Sequence, residues 1–200
     1  MILLKSILNE IETGGTAMSI KTPSPAIMWM YNTGRINNNI LDYGAGHGRN
    51  ANFLKSKGLK VYAYDPYNGS GIDGYDGVSN VLPKDKFEVA FTCFVLNVVS
   101  DSLEDEIINK VNGYAGTVFH VVRNMDVLVM IKKSIERRDK KVVDSFISYG
   151  GNIDNHTAND LLQFAKHGTD TSKGFQRIPE LENKGFNLLK STSAYKVYSK

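Results

Sequence analysis

The chain has 200 residues, 42% hydrophobic and 22% charged, with a formal net charge of +3. One domain is the default at this length, burying about 70% of the surface its unfolded chain would expose. These values exclude a mostly disordered chain, a collagen-like repeat and a coiled-coil rod, and so small a charge does not single out a nucleic-acid partner. The one cysteine, Cys93, excludes an intrachain disulfide framework and a multi-cysteine zinc site, and it fits a reducing cytoplasm. No apolar run reaches the ~18 residues of a membrane span. The N-terminus carries Glu10 and Glu12 and does not read as a signal peptide. His47, His120, His156 and His167 are scattered without ligand spacing, so no metal is expected.

In chain order, Ile2, Leu3, Ile7, Leu8 and Ile11 recur near helical spacing, which predicts a short amphipathic helix ended by Gly14-Gly15. Lys21 to Pro25 (KTPSP) is a loop. Ser24 before Pro25 marks a helix start, and Ala26 to Asn32 is that helix, ended by Gly34. Asn39 to Tyr43 reads as a buried strand, Gly44 to Gly48 as a turn, Arg49 to Lys57 as a helix and Lys60 to Tyr64 as a second strand. Together they make one βαβ unit. Residues 68–78 are glycine-rich and read as an irregular loop. Phe87 to Val99 reads as a central strand running into a loop. Asp101 to Val111 is a helix with acids in its first turn, and Gly116 to Val122 is a strand. Val127 to Ser148 is one amphipathic helix with Leu128, Ile131, Ile135, Val142 and Phe146 on a stripe. Phe186 to Tyr198 alternates, as one strand or a hairpin does. Alternating strands and helices predict an α/β fold with a mostly parallel sheet.

The stretch with chemical content is Asp42-Tyr43-Gly44-Ala45-Gly46-His47-Gly48, followed by Asp65 at 21 positions after Gly44. Glycines at alternate positions permit a sharp turn with positive φ and let a ligand approach the main chain. The helix that follows directs its free N–H groups at such a ligand. An acid about 20 residues on can accept hydrogen bonds from both hydroxyls of a ribose. The dinucleotide pattern G-x-G-x-x-G would need a third glycine at position 49, where this chain has Arg49.

The pattern present, D-x-G-x-G-x-G, resembles motif I of class I S-adenosyl-L-methionine (SAM)-dependent methyltransferases. The resemblance implies a Rossmann-like sandwich, SAM as cofactor, and roles for several residues. Asp42 would place the methionine part, Gly44 and Gly46 would line the cofactor, and Asp65 would grip the ribose, with Pro66 beside it. Asn80 would sit by the adenine. Phe94 and Asn97 would lie where sulfonium and substrate meet, and Lys21 would reach the cofactor carboxylate unless it is a solvated loop lysine. A narrower resemblance runs through KTPSP, Trp29, TGRI, ILDYGAGHGRN and VYAYDPY, then VLNVV at 95–99 and TSKGFQR at 171–177. These segments are similar to methyltransferases found beside DNA phosphorothioation genes. The division this implies is 1–38 as a helical extension with a cofactor-capping loop, and 39–200 as the SAM-binding domain.

Other residues read two ways. His47 and Arg49 are either substrate-facing or ordinary helix-start residues. Arg123 and Asn124 stand at a strand's C-terminal end, where substrate contacts occur. His120 reads as a satisfied core histidine and Cys93 as a small buried hydrophobe. Arg123 to Val143 carries seven Lys or Arg against three acids. That excess is either a solvated face or, on the helix 127–148, a nucleic-acid surface. No Asn/Asp-Pro-Pro-Tyr/Phe tetrapeptide and no Pro-Cys pair follows the strand at 87–93, which disfavours the common amino-directed and C5-cytosine DNA methyltransferases. The expected function is methyl transfer to a nucleic acid or small molecule. The alternative is a SAM- or nucleoside-binding module without transfer, acting through a protein or nucleic-acid partner. The Asn-, Lys- and Tyr-rich style suits a bacterial or phage protein.

Overall fold

The computed structural model describes residues 21–67, 77–171 and 174–200. The helix expected over the first fifteen residues and most of the glycine-rich stretch 68–78 lie outside these. The chain divides into two compact units: the residues up to Cys93 with Ser100–His120, and Phe94–Val99 with Val121–Lys200.

In the first unit, helix α1 (Pro25–Asn32) starts at Ser24, whose side chain accepts the Ala26 N–H. Proline in the first turn loses no hydrogen bond there. Strand β1 (Asn39–Tyr43) pairs in parallel with β2 (Lys60–Tyr64) on one side and β4 (Phe87–Cys93) on the other. A two-residue strand β3 (Val78–Ser79) pairs in parallel with β2. The strand order is β3-β2-β1-β4-β5, with β5 spanning Ala115–Arg123. Helix α2 (Arg49–Ser56) connects β1 to β2, and α3 (Asp101–Asn112) precedes β5. Because β1 and β4 are covered on both faces, they are apolar almost throughout, and Ile40, Leu41, Ala90 and Phe91 are fully buried.

In the second unit, the last residues of β5 lead into α4 (Met125–Glu136) and α5 (Lys140–Ser148). Then come α6 (Ala158–His167), a small antiparallel hairpin of β6 (Thr169–Thr171) and β7 (Gly174–Gln176), and an antiparallel pair, β8 (Asn187–Ser191) with β9 (Tyr195–Ser199). The order here is β5-β9-β8. Val127, Ile131, Ile135, Val142, Phe146, Leu161, Phe164 and Ile178 form its core.

The expected α/β architecture with a mostly parallel sheet is present. Three local expectations change and one boundary is fixed. The single helix 127–148 is two helices. Arg138 takes a left-handed φ of 56°, and the Asp139 side chain caps the second helix by accepting the Lys141 N–H. The strand running into a loop expected over 87–99 has its boundary at Cys93, where Phe94 turns left-handed at φ 63°, and the loop carries a 3-10 turn at Leu96–Val98. Val78, read as loop, opens β3. Helix α6 and the β6–β7 hairpin were not expected at all. Among the described residues no helix is long and apolar enough to cross a membrane.

Candidate cofactor site

The parallel register sets the site in the first unit. β1 and β2 end level, Tyr43 opposite Tyr64, so the glycine turn and Asp65 emerge side by side. Gly44, Gly46 and Gly48 have φ of 77°, 52° and 70°, a region closed to most side chains. The Tyr64 carbonyl accepts both the Gly44 and Ala45 N–H groups, at 2.8 and 2.9 Å, and so pins the turn to β2. Gly48 serves packing as well: a Cβ there would lie 2.8 Å from Val78 Cγ2. Ala45, Ala51, Ala63 and Val78 form the small apolar cluster under the turn.

Asp65 faces the turn directly. Its Oδ2 accepts the Gly46 N–H at 2.7 Å, and its Oδ1 accepts the Tyr67 N–H at 3.0 Å. A carboxylate offers about four acceptor positions, so roughly two remain for a ligand's hydroxyls. Pro66 is exposed beside it. Asn80 is exposed just after β3, and the Asp65 N–H donates to the Ser79 carbonyl at 2.9 Å. Gly44, Gly46, Asp65, Pro66 and Asn80 thus gather at one edge of the sheet, held there by β1, β2 and β3.

Asp42 sits lower, at 0% exposure, and neither of its carboxylate oxygens has a hydrogen-bond partner among the described residues. Burial, and then the nearby Asp65 charge, push its pKa up to about 7; the Ala51 backbone N–H, close by but outside hydrogen-bond geometry, and the Arg49 and Lys55 charges pull it partly back. A second polar group lies close by. The Ser24 N–H donates to Asn50 Oδ1 at 2.9 Å, which ties the start of α1 to the helix behind the glycine turn. This tie holds the KTPSP segment in place, with Lys21 exposed on it. Cys93 is half-buried, and burial pushes its thiol up to about 12, so it is no thiolate nucleophile at neutral pH.

In the second unit, Asn97 is fully buried. Its Oδ1 accepts the Arg123 N–H and its Nδ2 donates to the Arg177 carbonyl, both at 2.8 Å. Arg123 pairs with Asp126 at 2.6 Å, and its Nη1 lies 3.3 Å from Gln176 Oε1. Asn124 is buried, and its Nδ2 donates to the Thr192 carbonyl and lies 3.5 Å from Ser191 Oγ. Sequence reasoning named Asn97, Arg123 and Asn124 but missed that Arg177 partners Asn97 and Gln176 partners Arg123, from the end of a hairpin it did not foresee. It also missed the Ser24–Asn50 tie. His120, expected in the core, is fully buried with Nδ1 at 2.9 Å from Thr92 Oγ1. Of the cations at 132–141, Lys132 pairs with Glu136 and Arg138 with Asp154, while Lys133, Arg137, Lys140 and Lys141 are exposed without an ion pair among the described residues.

The sequence matches no protein-family model and no curated protein. Solved structures do resemble the chain. One is the 1,6-didemethyltoxoflavin-N1-methyltransferase of Burkholderia thailandensis with bound 1,6-didemethyltoxoflavin and S-adenosylhomocysteine. It has a TM-score of 0.54 and 10% identity, over 99% of this chain and 86% of that one. Another is the magnesium protoporphyrin IX methyltransferase of Synechocystis with bound S-adenosylhomocysteine. Its TM-score is 0.51 at 14% identity, over 96% of this chain and 85% of that one. At these identities the likeness is one of fold: the chain has the Rossmann-like fold found in SAM-dependent methyltransferases.

Proposed function

We propose that the chain is a SAM-dependent methyltransferase. The observation that carries this reading is the pairing of a left-handed glycine turn with two acids of different state. Asp65 is half-exposed and already accepts the Gly46 N–H, and Asp42 is buried with both oxygens unpartnered. A buried orphan carboxylate is costly unless a ligand completes it. A nucleoside bearing a cationic amino-acid end fits both acids, one through its ribose hydroxyls and one through its positive charge.

Gly44 and Gly46 would line that ligand, Asp65 would hold its ribose, and Asp42 would orient its methionine end. Asn80 and Pro66 would border its base, and Lys21 would reach its carboxylate from the capping segment 1–38. Phe94 and Asn97 are assigned to the transfer end by the motif resemblance. When bound, SAM supplies an electrophilic methyl group. The residues contribute by holding it in one orientation, which is worth several kcal/mol when the nucleophile is in line.

The acceptor is a small molecule or a nucleic acid. The exposed Lys133, Arg137, Lys140 and Lys141 favour a polyanion. The single cysteine supports a cytoplasmic setting, the Asn-, Lys- and Tyr-rich composition a bacterial or phage one, and the narrower resemblance a neighbourhood of DNA phosphorothioation genes. Calorimetric titration with SAM and S-adenosylhomocysteine tests the cofactor. Asp65→Ala should weaken both by about tenfold or more, since a hydrogen bond to a charged group contributes roughly 1.5–3 kcal/mol. Equal binding by the variant would remove the ribose assignment. Binding without transfer of labelled methyl to nucleic acid or to a small-molecule extract would leave a binding module instead.

A further inference from the structure

The turn that follows β3 is built from very little. β3 has two residues, Val78 and Ser79, paired with Ala63 and Tyr64 on one side. Behind it, Val78 packs at Gly48, and the Ser79 carbonyl takes the Asp65 N–H. These contacts all precede Asn80. Among the described residues, the chain after Asn80 is held by a side chain from β2 together with Ser79, whose Oγ lies 3.2 Å from the Val81 carbonyl. The Tyr62 hydroxyl donates to the Val81 carbonyl at 2.8 Å and lies 3.0 Å from Ser79 Oγ. Ser79 Oγ in turn accepts the Val81 N–H at 3.0 Å. Asn80 is therefore the exposed apex of a turn whose two flanks are both fastened to Tyr62.

The same geometry leaves Val81 at 66% exposure, the most open of the large hydrophobic side chains among the described residues. An exposed amide and an exposed isopropyl group stand side by side on a pinned backbone. A planar heteroaromatic base needs this combination: an apolar surface for one face and a donor–acceptor pair for an edge. Tyr62 itself is only half-buried, its ring 6.1 Å from the Phe87 ring, so its hydroxyl is not required to satisfy the core.

We infer that Tyr62 is a positioning residue for base recognition, holding the Asn80–Val81 turn so that this turn selects the base of the nucleoside ligand. This rests on the cofactor reading above. Tyr62→Phe removes the hydroxyl and keeps the ring against Phe87. Ser79→Ala breaks the same fastening from the other side. Each variant and the wild type are titrated with S-adenosylhomocysteine and with S-inosylhomocysteine, which differs only at the base edge.

The wild type should prefer the adenine form by tenfold or more, the scale on which a site discriminates by edge hydrogen bonds. Both variants should lose about tenfold for the adenine form and bring the preference down to about threefold or less, with the melting temperature lowered by only about 2 °C. Two outcomes overturn the inference while leaving the cofactor reading intact: variants that bind both ligands as the wild type does, and variants that lose both equally with the preference unchanged. A wild type that binds neither ligand overturns the cofactor reading and the inference with it.

Discussion

Asn97 and Arg177, 80 positions apart, hold each other through two hydrogen bonds in opposite directions. The Arg177 N–H donates to the Asn97 carbonyl at 2.9 Å, and Asn97 Nδ2 donates to the Arg177 carbonyl at 2.8 Å. With the Arg123 N–H on Asn97 Oδ1, one buried amide joins the loop after β4, the end of β5 and the chain leaving β7. Asn97→Ala would strand a buried N–H and a buried carbonyl together, at about 1–3 kcal/mol each. The variant should melt about 4–24 °C below wild type, since ~1 kcal/mol moves a chain of this size by ~2–4 °C. A thermal melt within about 1 °C of wild type would show that water or a shifted backbone replaces both bonds.

Asp42 makes stability fall as pH rises. Its folded pKa of about 7 lies above the ordinary 3.8, so between these values the folded state keeps a proton that the unfolded state has released. The benefit of that proton is full below pH 3.8 and gone above about 7. Asp42→Asn fixes the neutral form. It should match wild type below about pH 3.8 and exceed it by a margin that grows up to pH 7, reaching about 1–3 kcal/mol at pH 8 in urea unfolding, while binding SAM more weakly. Equal stability at pH 8 would mean that the carboxylate finds a partner when it ionises.

His120 tilts the balance the other way. Burial lowers its pKa to about 3 from 6.5, so the unfolded chain takes up a proton that the folded chain refuses. Stability therefore falls as pH drops from 6.5 towards 3. His120→Gln should reduce acid sensitivity between pH 6.5 and 4, and Asp42→Asn should increase it. The urea midpoints of the two variants, followed across pH 4–8, should slope apart from wild type in opposite directions.

Gly168 and Gly185 both have positive φ, 95° and 78°, but Gly168 has ψ 156°, a region essentially reserved for glycine, and Gly185 has ψ 22° in the ordinary left-handed region. A Cβ at Gly168 would lie 2.4 Å from Phe175 Cζ and 2.9 Å from Arg177 Cβ, whereas one at Gly185 meets nothing within 4 Å. Gly185→Ala should cost only the backbone strain, about 1 kcal/mol. Gly168→Ala adds overpacking against the hairpin and should cost about 2–4 kcal/mol. Equal costs, measured by chemical denaturation, would mean that Phe175 swings away freely.

The first half of the chain is the legible half. Strands β1 and β2 fall where the sequence places them, because each is a short apolar run bounded by turn residues in a sheet covered on both faces. Asp42, the three glycines and Asp65 stand out because local backbone requirements dictate them. The second half is harder. Helix α6 begins with a capping box, Thr157 and Asp160, ahead of Leu161 and Phe164. This signal was readable, but it lies between polar segments that look like loop. The break at Arg138 was hidden because Ile135 and Val142 are seven residues apart, a spacing that an unbroken helix would share. The Tyr62 fastening and the Ser24–Asn50 tie join positions 17 or more apart, and no local pattern encodes such a meeting.

Phe94 holds a left-handed φ of 63°, where glycine or asparagine would rest at less cost. An aromatic there costs about 1–2 kcal/mol that the rest of the fold must offset. Selection for folding alone would let that residue drift towards glycine, and the gain would arrive in a single step. Position 94 therefore separates two kinds of fitness. A library screened for stability should drive the aromatic out, and one screened for methyl transfer should keep it if, as proposed, Phe94 lies at the transfer end.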